Sequence, residues 1–229
     1  MRIVLLVASV ALGCTPTVAF ADLVHMTLGS PTTPHPYGVF VDPYPISVTD
    51  SSGATANLLL ACDDYETEIG VGHTWDANRY LLGALNTVSG TTPKFNNAPT
   101  TWSSAALGAG TVTGLTVQNL YDAVAVLTVD LLFNQANRTI DSYAIWSIFD
   151  PSHPPQGVAP GADAKAYNTL LAVKDKAPTY LYNHVYIYTP VPLVASQEFI
   201  GYVPDGGMTL MLLGGALVSL ETLRIRFGV

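Results

Sequence analysis

Residues 180–190 read YLYNHVYIYTP, and the alternation in that stretch decides the fold class. Tyr180, Tyr182, His184, Tyr186 and Tyr188 fall on one side of an extended chain, with Leu181, Val185 and Ile187 on the other. Successive side chains of a strand point to opposite faces, so period two in aromatic and β-branched residues predicts a strand. Four tyrosine rings on one face predict either an aromatic platform for carbohydrate or a face packed beneath a neighbouring element.

Outward from this strand, Pro190 and Pro192 make a turn, and QEFIGYVP at 197–204 reads as a last strand. ANLLLACDDYE at 56–66 is a continuous apolar run closing in acid, the pattern of a buried strand. YGVFVDPYPISVTD at 37–50 alternates but is broken by Pro43 and Pro45, which suits edge strands because proline cannot donate to a ladder. Two helices are expected between these strands. Asn119 is placed to cap 120–135, where Leu120, Val124, Leu127 and Leu131 form one stripe. Asp163 opens 164–176, with Tyr167, Leu170 and Leu171 inward and the lysines outward. Pro/Gly/Ser/Thr-rich loops fill 28–36, 89–100 and 151–161. The expected class is α+β: an antiparallel β-rich single domain with a few packed helices.

Composition narrows the function. The chain of 229 residues carries 17 acidic against 9 basic side chains, a net charge of −8, and is more acidic still once its termini are set aside. Such a surface repels nucleic acid, which is excluded as a partner. No G-x-S-x-G, H-E-x-x-H or phosphate-binding glycine loop occurs, and the five histidines lack metal-ligand spacing. No catalytic residue, metal or cofactor is expected. The acidic run Asp63, Asp64, Glu66 and Glu68 lacks the spacing of a calcium loop and reads as a solvated bend.

The two ends look like export addresses. Residues 1–21 have a positive Arg2, an apolar stretch from Ile3 to Gly13, and Ala19 and Ala21 at A-x-A spacing. That is the layout of a signal peptide cleaved after Ala21 by signal peptidase; the alternative is acylation of Cys14. Cleavage leaves a body at 22–202 and a tail at 203–229. In the tail, an apolar run over about 208–223 precedes a basic end at 224–229 bearing Arg224 and Arg226. As a helix this run is about 24 Å long, marginal for a hydrocarbon core of about 30 Å. The arginines would hold its end in the cytoplasm, giving a C-terminal transmembrane sorting helix.

Val203, Pro204, Asp205, Gly206 and Gly207, followed by that run and the arginines, resemble the VPDSG-type variant of the PEP-CTERM sorting tail. The resemblance implies recognition by an exosortase and delivery to the cell surface or matrix, with transient anchoring in the inner membrane. Glu221 inside the span and the separated arginines depart from the pattern.

The body carries a second resemblance. LLACDDYETEIGVGHTW at 59–75 and SYAIWSIFDP at 142–151 are similar to the two halves of a surface thioester domain. In that family a cysteine joins the glutamine of a T-Q-x-A-I-W motif to form an internal electrophile for covalent adhesion. Cys62 matches the cysteine, and Ala144, Ile145 and Trp146 match the motif's end. Asp141 and Ser142 stand at the Thr and Gln positions. Serine has no carboxamide, so Cys62 and Ser142 are expected to be thioester-like positions without a thioester.

The sequence therefore predicts an exported, non-enzymatic surface or matrix protein of structural or adhesive type. Exopolysaccharide or neighbouring surface proteins are its expected partners. The alternative is a matrix-polymer hydrolase or covalent crosslinker that uses Cys62. Cysteine is commonly buried, and the acidic neighbours of Cys62 disfavour a thiolate.

Overall fold

The computed structural model describes residues 21–30, 39–41, 43–104, 110–151, 159 and 161–203. Six strands are present: β1 (Asp22–Leu28), β2 (Tyr44–Thr49), β3 (Thr55–Cys62), β4 (Thr74–Leu81), β5 (Val185–Val191) and β6 (Phe199–Tyr202). They close into an antiparallel barrel in the order β1-β2-β3-β6-β5-β4, with β4 returning to β1. Three helices, α1 (Val117–Phe133), α2 (Arg138–Phe149) and α3 (Ala162–Asp175), pack against one another, and α1 and α2 rest on the barrel wall. The β-rich, antiparallel expectation holds; the sheet closes on itself, so the edge strands expected over 37–50 do not occur.

Alternation along the strands creates two cores. Met26, Ile46, Leu60, Trp75, Tyr188 and Phe199 belong to one cluster that fills the barrel. Ala61, Tyr80, Val185, Ile187 and Ile200 take the opposite parity and join the core beneath the helices. The register keeps each set together: Tyr188 pairs with Phe199 and Ile187 with Ile200. Gly201 lies opposite Tyr186, and a Cβ there would collide with the Leu60 side chain.

The prolines do not mark edges. Pro45 is paired with Leu59 and Pro190 with Ala77, so both lie inside the closed ladder, each one residue from a strand end. Closure leaves no edge for them to occupy.

Thr116, not Asn119, caps α1. The Thr116 hydroxyl accepts the Asn119 N–H at 3.1 Å, and Asn119 Oδ1 accepts the Thr116 N–H at 2.9 Å, a reciprocal capping box. Leu120, Val124, Leu127 and Leu131 are buried as expected, and Tyr121, Ala123 and Ala125 are buried with them. In α3 the inward stripe is Ala162, Ala166, Leu170 and Val173, whereas Leu171 is exposed. The helix starts at Ala162, after Gly161 in the left-handed region (φ 95°).

α2 has no counterpart among the expected helices. Asp141 through Phe149 are all buried, because the helix lies between α1, α3 and the barrel. A helix surrounded on every side carries no amphipathic stripe.

Among the described residues no helix is long and apolar enough to cross a membrane. Ala19, the span expected over 208–223 and the basic end lie outside the described residues. So do Pro204, Asp205, Gly206 and Gly207; Val203 is described, and its N–H donates to the His184 carbonyl at 2.8 Å.

Candidate functional site

The two thioester-like patches, separated by some eighty residues in the chain, meet where β3 runs beneath α2. The indole Nε1 of Trp146 donates to the Cys62 carbonyl at 2.9 Å. Tyr65 and Tyr143 lean on the same indole, with ring centroids 5.2 and 5.0 Å away. Cys62 is buried, and its thiol donates to the Asp64 carbonyl at 3.2 Å. Burial first, with the Asp64 charge adding to it, pushes this thiol well above its ordinary pKa. Ser142 is also buried, and its hydroxyl donates to the Val41 carbonyl. Both side chains at the thioester-like positions are thus committed to backbone carbonyls.

The acidic run beyond Cys62 is not a solvated bend. Asp63 and Asp64 are 1% and 2% exposed; only Glu66 and Glu68 reach solvent. The reason is a set of partners from distant segments that the sequence does not announce. Lys94 donates through Nζ to the Asp64 carboxylate, to Thr67 Oγ1 at 3.0 Å and to the Ser196 carbonyl at 3.0 Å. Those three acceptors satisfy the ammonium's three protons. Asp64 Oδ1 accepts the N–H groups of Glu66 and Thr67 at 3.2 Å each.

Glu198, wholly buried beside β6, completes the cluster. Its carboxylate accepts the Tyr121 hydroxyl, the Thr189 hydroxyl and the Lys94 N–H, the last at 2.9 Å. Since Thr189 donates to Glu198, it accepts from Tyr80, 2.9 Å away. Neither oxygen of Asp63 receives an N–H or O–H donor, yet this carboxyl interacts with Glu198. A proton held on Asp63 and directed at Glu198 accounts for both observations. Burial, then the facing Glu198 charge, raises the Asp63 pKa well above the carboxylate range. Burial also raises Glu198, while its hydroxyl and N–H donors pull it back. Asp63 is therefore the protonated member and Glu198 the charged one.

A cleft of about 630 Å³, bordered by Phe40, Tyr44, Tyr65, Asp64, Trp146 and Gln197, opens over this network. Among the described residues, no group of three or more His, Cys, Asp or Glu side chains is arranged to hold a metal ion.

The tyrosine platform does not form. Tyr180 sits in a 3-10 turn at Thr179–Leu181 and is 70% exposed, and Tyr182 follows in the same turn. β5 begins only at Val185, so Tyr186 and Tyr188 have the strand periodicity and the first two rings do not. Tyr188 fills the barrel interior, and Tyr186 packs against the same core beneath the Arg79 guanidinium, 5.8 Å from its ring centroid. Tyr182 donates its hydroxyl to Asp122 at 3.2 Å.

No family model and no curated protein matches this sequence. Solved structures with a similar course of the chain include the N-terminal thioester domain of a surface protein from Clostridium perfringens, at 10% identity and TM-score 0.41. That likeness covers 78% of this chain and 97% of the other. The N-terminal domain of the Streptococcus pyogenes pilus tip adhesin Cpa gives 9% identity and TM-score 0.41, over 82% and 97%. The N-terminal thioester domain of the fibronectin-binding protein SfbI from Streptococcus pyogenes gives 10% and 0.43, over 79% and 94%. At such identities and scores these likenesses assign neither activity nor partner to this chain.

Proposed function

We propose that this chain is an exported cell-surface or matrix protein that makes structural, adhesive contacts without covalent chemistry and without catalysis. The carrying observation is the state of Cys62. Its thiol is buried, held by the Asp64 carbonyl and flanked by carboxyls, and the facing helix offers Ser142 where a carboxamide would be needed. A thiol kept from ionising is a poor nucleophile, which argues against the hydrolase and crosslinker alternatives that use Cys62. Export rests on the signal-peptide layout of residues 1–21 and the sorting-tail pattern from Val203 onward, with signal peptidase and an exosortase as processing enzymes. Exopolysaccharide and neighbouring surface proteins are the partners that such a location supplies.

The test is fractionation of an exosortase-bearing bacterium expressing the full chain, followed by co-sedimentation of the purified protein with that host's exopolysaccharide. The protein is expected in the envelope or medium, and Cys62→Ala is expected to leave co-sedimentation intact. Full-length chain in the cytosol overturns the export reading. Loss of binding in a folded Cys62→Ala variant overturns the non-covalent one.

A further inference from the structure

Three helices converge on one amine. Lys165, in the first turn of α3, places Nζ against Asp141 Oδ1 of α2 and Asp130 Oδ2 of α1. Asp141 is fully buried, Lys165 about three-quarters buried at 26% side-chain exposure, and Asp130 the most open at 35%. The second oxygen of Asp141, Oδ2, has no hydrogen-bond partner, although it lies in a helix interface that excludes water. A buried carboxylate ordinarily fills its acceptor sites, and leaving one empty is unfavourable. Burial first shifts Asp141 upward, with the Lys165 hydrogen bond and charge opposing. Burial pulls Lys165 down, but the hydrogen bonds of Asp130 and Asp141 outweigh it and raise the ammonium too, so the pair shares its protons through the contact itself.

We propose that Lys165 and Asp141 become joined by an intramolecular amide bond, with Asp130 as the proton carrier. The contact already holds nucleophile and acceptor together, and such fixed placement is equivalent to effective concentrations of about 10⁵–10⁸ M. The ammonium passes one proton to the Asp141 carboxylate, leaving a neutral amine and a neutral carboxyl group. The amine attacks Cγ of Asp141, forming the Nζ–Cγ bond. Asp130 accepts the second proton from nitrogen and delivers it to the hydroxyl at Oδ1, which took the first, and the Cγ–Oδ1 bond breaks. The products are one amide and one water, with no redox partner and no change in total charge. Oδ2 remains as the amide carbonyl oxygen, and the amide N–H that remains can donate to Asp130. Cys62 is free, so the described residues contain no disulfide; this bond would tie α2 to α3 in its place.

Tryptic mass mapping of the purified, folded full chain tests the bond directly. Cleavage after Arg138 and Lys174 but not after the acylated Lys165 is expected to give residues 139–174 as one peptide, lighter by one water. Its fragments should place the loss on a bridge between Asp141 and Lys165. Asp141→Asn is expected to give the same bridge with loss of ammonia in place of water, and Asp130→Asn to slow its appearance in refolded protein. Normal cleavage after Lys165 overturns the proposal, whether or not water is missing, since a cyclised aspartyl residue alone leaves that lysine free. A bridge from Lys165 to Asp130 overturns the assigned acceptor. This outcome is independent of the non-covalent surface reading, which concerns Cys62.

Discussion

Asp63 and Glu198 bring two carboxyl groups together inside the protein, one with three hydrogen-bond donors and the other with none. They cannot both be charged there, so one proton belongs to the fold. The two residues stand 135 positions apart in the chain and meet because β6 pairs with the end of β3, at Cys62 and Phe199.

That retained proton sets a pH dependence. Both carboxyls have raised pKa values in the folded state, whereas in the unfolded chain they titrate near the ordinary value of about 4. Above that value the folded state binds protons that the unfolded state has released. The pair's contribution is complete below the unfolded pKa and is lost as pH rises through the folded ones. Urea midpoints measured from pH 4 to 9 should fall with rising pH more steeply for the wild type than for Asp63→Asn. Parallel curves for the two proteins would contradict a shared proton.

Thiol chemistry provides the second check. Cys62 should resist alkylation in the folded protein at neutral pH and react only at the rate of unfolding, because burial and the Asp64 charge oppose the thiolate. Modification by iodoacetamide in native buffer as fast as in urea would overturn the inert assignment.

The Trp146 indole satisfies the Cys62 carbonyl beneath α2. Trp146→Phe keeps an aromatic ring and deletes the donor, leaving a buried carbonyl unpaired, so a loss of about 1–3 kcal/mol is expected. Denaturant melts of this variant would show the loss, with the thiol remaining protected at low denaturant.

Gly201→Ala tests barrel packing. The added methyl group must displace Leu60 inside a filled barrel, so overpacking of about 1–3 kcal/mol is expected. The paired change Gly201→Ala with Leu60→Ala should recover part of the methyl clash while losing Leu60 contacts. Thermal unfolding of both variants and of Leu60→Ala alone would separate the two contributions by non-additivity.

Much of the strand content was legible because alternation is a local property. β3, β5 and β6 overlap stretches whose pattern alone predicts strands, and α1 overlaps the expected apolar stripe. The platform failed for a local reason too: Tyr180 and Tyr182 keep the spacing of a strand while the backbone turns, and spacing alone does not reveal a 3-10 turn. α2 was hidden because burial on all sides erases its stripe. The acid cluster was hidden because Asp63 and Asp64 are solvated or buried according to where Lys94 and Glu198 arrive, and nothing near position 63 encodes those partners. One signal was available: Glu198 stands directly before the buried Phe199 and Ile200, and an acid beside so apolar a strand must find donors.

The position of β6 between β3 and β5 has a kinetic consequence. A chain that has not yet delivered residues 199–202 can assemble the first five strands only as a sheet with two unpaired margins, at β3 and β5. Until β6 docks, Asp63 does not face Glu198, the carboxyl with which it shares its proton in the finished fold. Completion waits for a four-residue segment that must insert between strands already made, a long-range closure of the kind that slows folding. Shape and proton uptake therefore arrive together, in the last step, and a stalled or truncated chain should lack both.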